Sequence, residues 1–233
     1  MYIYWVTAAT ITDSRRYYNS IRGYCNYTIT KSKEFRRLYR PIAYLLFDDH
    51  INHISRKVNG ILIALNRIKD SLDKTSRITI VQSLSISIIN YCLRVWGMTT
   101  KEQIERVQKL QNFAARVAHG EVRKYDHITP IIKELGWLKI ENKIVYDMCI
   151  FTYRVCNNLL PEWLFSFPAV QELNTRTTRQ SSKLFVPRTR TDMGGRAITV
   201  KGPRNWNTLP TIIQSQPTLK AFKDKLKTYL LNK

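Results

Sequence analysis

Acidic residues are scarce in this sequence. Only 17 Asp and Glu stand against 38 Lys and Arg in 233 residues, which gives a formal net charge of +21. This scarcity leaves few pairs of carboxylates for hydrolytic acid–base chemistry. Glycine is also rare, with 8 residues, and the sequence has no Gly-rich dinucleotide turn, P-loop, G-x-S-x-G or H-E-x-x-H motif. A complete active site is therefore not expected in this chain.

Cysteine is infrequent as well, and none of the four cysteines forms a C-x-x-C pair. Cys149 and Cys156 are seven residues apart, which predicts one helical face inside an apolar run. We interpret the cysteines as buried free thiols, which fits a reducing compartment. His50 and His53 have no Cys or carboxylate partner at zinc-finger spacing, and His119 and His127 flank a loop. No metal site is expected.

Long apolar runs are missing too. No stretch of about 20 apolar residues occurs, so the sequence predicts no membrane span. Residues 1–12 are mildly apolar, but their charges follow them rather than precede them, which is the wrong order for a secretory signal. We expect a protein of the nucleus or cytoplasm, not a secreted one.

The composition is that of a folded, polyanion-binding chain. Hydrophobic residues make up 44% of it, too many for a wholly disordered protein. A folded chain with this positive charge usually meets DNA, RNA or an anionic membrane surface. A generally basic soluble protein, such as a ribosomal one, is the alternative. Charge and pattern together favour nucleic acid.

Apolar residues at three- and four-residue steps predict a mainly α-helical core. The predicted helices cover residues 48–68, 74–95, 101–119, 128–135 and 141–157. In the second of these we expect an apolar stripe made of Ile78, Val81, Leu84, Ile88, Tyr91 and Cys92. We divide the chain into a basic, aromatic leader (1–47), a helical domain (48–160) and a basic C-terminal segment (161–233).

The C-terminal segment carries the densest positive charge. Between residues 175 and 205 only Asp192 opposes the cations, and such charge repels itself unless phosphates or water neutralise it. We predict short strands at 184–187 and 197–200, turns at Gly194-Gly195 and Gly202-Pro203, and a final helix over 217–231. The candidate phosphate-binding residues are Arg176, Arg179, Arg188, Arg190, Arg196, Lys201 and Arg204.

The leader allows two interpretations. Basic residues alternate there with tyrosines, such as Tyr17, Tyr18 and Tyr24, and this combination can bind single-stranded nucleic acid by stacking and charge. It can equally be a divergent segment that folds poorly. The absence of a clean period of 2 or 3.6 favours the second interpretation.

One acidic pair invites a catalytic interpretation. Template-directed polymerases hold two Mg²⁺ ions on adjacent aspartates at a β-hairpin turn, and Asp48-Asp49 follows an apolar segment, 43–46, that could be a strand. The residues after the pair have helical periodicity. We therefore predict that Asp48 and Asp49 open a helix, where their charge suits the positive helix end.

An ordered set of motifs then becomes apparent over residues 46–233. It comprises DHINHI at 49–54, INYCLRVWG at 89–97, LQNFAAR at 110–116, HITP at 127–130, LGWL at 135–138, NTR at 174–176, VPR at 186–188, GPRNWNTLP at 202–210 and FK at 222–223. The series resembles the C-terminal part of reverse transcriptases from non-LTR (LINE-type) retrotransposons of the jockey-like kind.

The resemblance implies a helical thumb-like bundle, followed by the basic segment with short β-strands and a C-terminal helix. In that family the thumb holds the template–primer duplex by its phosphates and sugars. The family's catalytic aspartates and Mg²⁺ belong to the palm, which precedes this region, so the resemblance implies neither a catalytic residue nor a cofactor for this chain. The implied partners are RNA, DNA or an RNA–DNA hybrid, without a membrane or a small-molecule substrate.

Three hypotheses remain open at this point. The first is a retroelement-derived chain that binds RNA or RNA–DNA duplex with little sequence preference and is inactive alone. The second is a working polymerase that uses Asp48 and Asp49. The third is a structural or interaction module, or a relic, without a role in nucleic-acid binding. In each of them we expect four tryptophans in the core, namely Trp96, Trp137, Trp163 and Trp206.

Overall fold

The computed structural model describes residues 47–122, 126–161, 167–173 and 182–232. Within these ranges the chain is helical, and its β-pairing is limited to an isolated antiparallel bridge between Ala169 and Leu184. The predicted leader, except for its last residue, lies outside the described residues.

In the first half of the fold, the described residues form six α-helices. They are α1 (Asp48–Ile68), α2 (Lys74–Val81), α3 (Ser87–Asn90), α4 (Leu93–Trp96), α5 (Lys101–His119) and α6 (Ile128–Glu134). A 3-10 turn, Lys69–Ser71, follows α1, and a π-helical turn, Gln82–Ile86, joins α2 to α3.

The described part of the second half forms six more. They are α7 (Ile140–Cys156), α8 (Val170–Leu173), α9 (Asp192–Arg196), α10 (Ile198–Asn207), α11 (Thr211–Gln214) and α12 (Leu219–Leu231). Of the described helices, none has the length and apolar character needed to cross a bilayer.

Two hydrophobic clusters hold these helices together, and α7 contributes to both. Ile144 and Met148 belong to the first cluster, which α1 to α6 complete. Cys149 and Tyr153 belong to the second, which α10 to α12 complete. Because α7 presents apolar residues to both clusters, the basic C-terminal segment is packed onto the helical core.

Three of the four tryptophans are buried as expected: Trp96, Trp137 and Trp206. Trp163 lies outside the described residues. The prediction for the cysteines holds in part, since Cys149 is buried but Cys156 is exposed in the last turn of α7. Seven residues bring the two thiols to one face, but the apolar cover ends before Cys156.

The predicted second helix is interrupted, and its predicted apolar stripe is wrong at Leu84 and Tyr91, although Val81 is buried as expected. The π-helical turn inserts one extra residue, which rotates the following residues relative to an α-helix. Ile86 and Ile89 are therefore buried after Val81, whereas 48% of Leu84 and 64% of Tyr91 is exposed. The helix then ends at Tyr91 and Cys92, where Cys92 has a left-handed φ of 52°.

This rotation predicts different costs for two leucine truncations. Leu110→Ala on α5 removes a buried side chain and should lower the free energy of unfolding by about 2–5 kcal/mol. Leu84→Ala removes a half-exposed one and should cost less than about 1 kcal/mol. Urea denaturation of the two variants checks the difference, and equal costs would place Leu84 in the core.

Both predicted strands of the C-terminal segment are wrong. At 184–187 a side chain pairs with the backbone of Leu184. The Leu184 N–H donates to Asn207 Oδ1 at 3.0 Å, and Asn207 Nδ2 donates to the Leu184 carbonyl at 2.8 Å. On the other side, Phe185 N donates to Pro168 O at 2.9 Å. This pairing satisfies the backbone of Leu184 without a neighbouring strand.

At 197–200 the chain enters α10, although Ile198, Thr199 and Val200 favour strands intrinsically. Val200, Pro203 and Trp206 are buried at three-residue steps, which is a helical period. Burial of this face outweighs the β-branched propensity. It also keeps Pro203 inside the helix, where we predicted a turn.

Candidate nucleic-acid interface

A groove with a volume of about 540 Å³ lies where α5, α7, α9 and α10 meet. The first turn of α5, the first half of α7 and the C-terminal end of α9 line it together with α10. The groove gathers residues about 100 positions apart in the sequence. We call this feature the interhelical groove.

One wall of the interhelical groove is cationic. Arg196 ends α9, and Lys201 and Arg204 follow on α10, three residues apart and so on one helical face. All three were predicted from the sequence as phosphate-binding residues. The structure brings them to one groove.

Arg196 carries charge that is only partly compensated. Its Nη2 lies 3.4 Å from Asp192 Oδ2, but 14% of the Arg196 side chain is exposed against 89% of that of Asp192, so water screens the carboxylate. Arg196 Nε and Nη1 are buried and have no hydrogen-bond acceptor among the described residues. A partly buried guanidinium with unpaired donors is an unsatisfied site for an anion.

The ammonium of Lys201 lies near the same cationic side chains, Arg196 and Arg204. Burial is the main cause that lowers its pKa below the ordinary value, and the charges of Arg196 and Arg204 lower the pKa further. Asp192 and Glu141 oppose this shift by raising the pKa of Lys201. The net direction shows that cationic neighbours and burial outweigh the two carboxylates at this position.

A pH dependence follows from the lowered pKa of Lys201. Between that lowered pKa and the ordinary value near 10.5, the unfolded chain binds the proton and the folded chain does not, so this group makes stability rise with pH. Lys201→Met should remove the contribution. Thermal denaturation of both proteins between pH 7 and 10 checks it, and an unchanged difference in melting temperature across that range would contradict it.

The other wall of the groove is apolar. Ile104 of α5 and Ile144 and Val145 of α7 line it, with Ile104 and Ile144 buried in the first hydrophobic cluster. Lys101 stands at the same end of α5, beside the N-cap Thr100, whose side chain accepts from Gln103 N at 3.4 Å. The groove thus combines cations with an aliphatic surface.

The remaining predicted residues are distributed differently. Arg188 and Arg190 are exposed in the non-helical stretch before α9, outside the groove lining. The segment that carries them approaches α9 closely, since a Cβ on Gly194 would lie 3.3 Å from Thr189 Cβ. Arg176 and Arg179 lie outside the described residues. Lys101 was missed, because only the tertiary packing of α5 against α7 and α10 brings it to the groove.

Several other cations have structural partners. Arg77 donates to the carbonyls of Lys69 (2.9 Å) and His119 (3.1 Å), where it caps the C-terminal end of α5. Lys143 Nζ lies 2.8 Å from Asp147 Oδ1 on α7. These cations are engaged by partners within the fold, so positive charge alone does not identify a residue that binds nucleic acid.

The acidic pair opens α1, as predicted. Asp48 and Asp49 lie in its first turn, and Asp48 Oδ1 accepts a hydrogen bond from Gln103 Nε2. The residues that follow the pair are helical, so it is not at the tip of a hairpin. In the described part of the chain, no three His, Cys, Asp or Glu side chains assemble into a group that could hold a metal ion.

Comparisons with known proteins add no relative. No family model, curated protein or solved structure matches the chain. The function is therefore argued from the interhelical groove and from the sequence motifs.

Proposed function

We propose that this chain binds RNA or RNA–DNA duplex through phosphate contacts, with little sequence preference. Residues 46–233 would correspond to the thumb and the following region of a reverse transcriptase from a non-LTR retrotransposon, acting in the nucleus or cytoplasm. The observation that carries the proposal is the convergence of Arg196, Lys201 and Arg204 on one groove.

Electrostatics supports this proposal. The chain has a net charge of +21, and such an excess attracts polyanions and speeds their association. Arg188, Arg190 and Arg204 are exposed, so phosphates can reach them without rearrangement of the core. Contacts of this kind position a nucleic acid without reading its bases, which accounts for low sequence preference.

We assign no polymerase chemistry to the described residues. The acids closest to a catalytic pattern, Asp48 and Asp49, open a helix, and Asp48 is engaged by Gln103. Two-metal catalysis needs carboxylates that converge on the ions. The proposed activity is binding.

Salt dependence of RNA binding tests the proposal. Each phosphate contact releases counterions, so the logarithm of affinity should fall with the logarithm of salt by about 0.7–0.9 per contact. We expect a total slope of about −3 to −5 for a 20-nucleotide RNA hairpin, measured by fluorescence anisotropy between 50 and 300 mM KCl. Absence of binding at 50 mM KCl, or a slope near zero, would contradict it.

A further inference from the structure

The size of the interhelical groove limits what can enter it. Its volume of about 540 Å³ falls within the roughly 300–1,000 Å³ typical of small-ligand sites. A cube of that volume has an edge of about 8 Å, which is narrower than a nucleic-acid duplex, since the major groove of DNA alone is about 12 Å wide. A double helix can lie across the groove but cannot enter it.

The chemistry of the two walls identifies a smaller occupant. Arg196, Lys201 and Arg204 offer positive charge and donors for a phosphate. Val145, which is half-buried, and the methylene chain of the exposed Lys101 offer an aliphatic surface for the faces of a sugar and a base. A molecule with an anionic end and a flat, weakly polar body matches both walls.

We propose that the interhelical groove binds a single unpaired nucleotide, with its phosphate against Arg196, Lys201 and Arg204 and its sugar and base against Val145 and the methylene chain of Lys101. This inference rests on the proposed function and specifies it. The nucleotide belongs to a single-stranded segment or strand end, while the exposed Arg188 and Arg190 contact the neighbouring phosphates.

The polar residues at the edge of the groove fit this occupant. Glu141 is exposed, and Asp192 is the largely exposed carboxylate next to Arg196, so water weakens their repulsion of a phosphate. Both carboxylates can accept hydrogen bonds from ribose hydroxyls or base amino groups. Asn205 also lies on the groove lining, next to Arg204 in the sequence.

Among the described residues, no aromatic side chain lines the groove, which shapes the expected affinity. Aromatic stacking contributes about 1–3 kcal/mol per base in single-strand binding proteins, and aliphatic contacts give less. We therefore expect weak binding of a free nucleotide and tolerance of all four bases. Within a longer strand, the neighbouring phosphate contacts add to this affinity.

Titration of the full chain with uridine 5′-monophosphate tests the inference. At 50 mM KCl we expect the nucleotide to displace a single-stranded RNA of 12 nucleotides, with at least about tenfold greater potency than inorganic phosphate. Uridine should displace it least. Equal potency of inorganic phosphate and nucleotide would overturn the inference, because the groove would then be a simple anion site.

Two variants separate the groove from the surrounding surface. Asn205→Phe fills the groove and keeps its cations, so it should abolish competition by the nucleotide but reduce duplex RNA binding less than twofold. Lys201→Met should weaken both. Thermal denaturation confirms that each variant is folded, and if Asn205→Phe unfolds the chain, Asn205→Leu replaces it.

The outcomes distinguish this inference from the proposed function. Salt-dependent duplex binding with no competition by the nucleotide would reject the unpaired-nucleotide site and leave the proposed function standing. Loss of both kinds of binding would reject both. Nucleotide competition that persists in Asn205→Phe and in Asn205→Leu would place the nucleotide outside the interhelical groove and overturn the inference.

Discussion

Replacement of Arg196, Lys201 and Arg204 by Gln should reduce RNA affinity on the order of a hundredfold at 0.1 M salt. At that salt concentration each phosphate contact favours binding roughly sixfold through counterion release, and three contacts multiply to about two hundred. The salt slope should fall by about 2–3. Anisotropy with the 20-nucleotide RNA hairpin measures both quantities for the triple variant and the wild-type chain.

A matched triple variant controls for net charge. Lys57→Gln, Arg67→Gln and Lys109→Gln remove the same charge from exposed positions on α1 and α5 that do not line the interhelical groove. We expect this variant to lose less than about fivefold in affinity, since long-range charge is screened within about 10 Å at 0.1 M salt. Equal losses in the two triple variants would show that overall charge, not the groove, drives binding.

Phe222→Ala should lower the free energy of unfolding by about 3–5 kcal/mol, the cost typical of truncating a buried aromatic ring. Phe222 on α12 is fully buried, and its ring stacks on Tyr153 of α7 at 4.5 Å between centroids. The ring of Trp206 on α10 lies 5.7 Å away. Denaturation followed by circular dichroism measures the loss.

The same variant should weaken RNA binding, because Phe222 holds α10 against α7 and α10 carries Lys201 and Arg204. Ile212→Ala is the control in the same part of the chain, since 70% of Ile212 is exposed, and it should change stability by less than about 0.5 kcal/mol. A cost below 1 kcal/mol for Phe222→Ala would contradict the second hydrophobic cluster.

The long helices could be predicted from the sequence because their signals are local. The apolar period of α1 and α5 is regular, and Gly120, with a φ of 85°, ends α5 as a glycine after a helix usually does. Pro130 falls in the first turn of α6, where its missing N–H costs nothing. Such signals need no knowledge of the rest of the fold.

The errors arise where packing overrides local preference. The π-helical turn shifts the buried face by one residue, and a regular helical period cannot represent that shift; Leu84 was therefore placed in the core. At 198–200 the β-branched residues favoured a strand, but burial of Val200 and Trp206 selects the helix. Propensity is a weak guide when tertiary contacts decide.

Only the cationic wall of the interhelical groove could be predicted from the sequence. The charge density of the C-terminal segment singled out Arg196, Lys201 and Arg204, and the structure brings them together. Lys101, Ile104 and the α7 residue Ile144 belong to other segments. Their place in the groove depends on how α7 packs between α5 and α10, which no local pattern encodes.

Mapping of crosslinks from an RNA that contains 4-thiouridine tests the central claim most directly. We predict that the crosslinked peptides, identified by mass spectrometry, cluster at 188–205 and around Lys101 and Ile144, and that the groove triple variant loses them. Crosslinks concentrated on α1 and α12, with the groove peptides unmodified, would contradict the account.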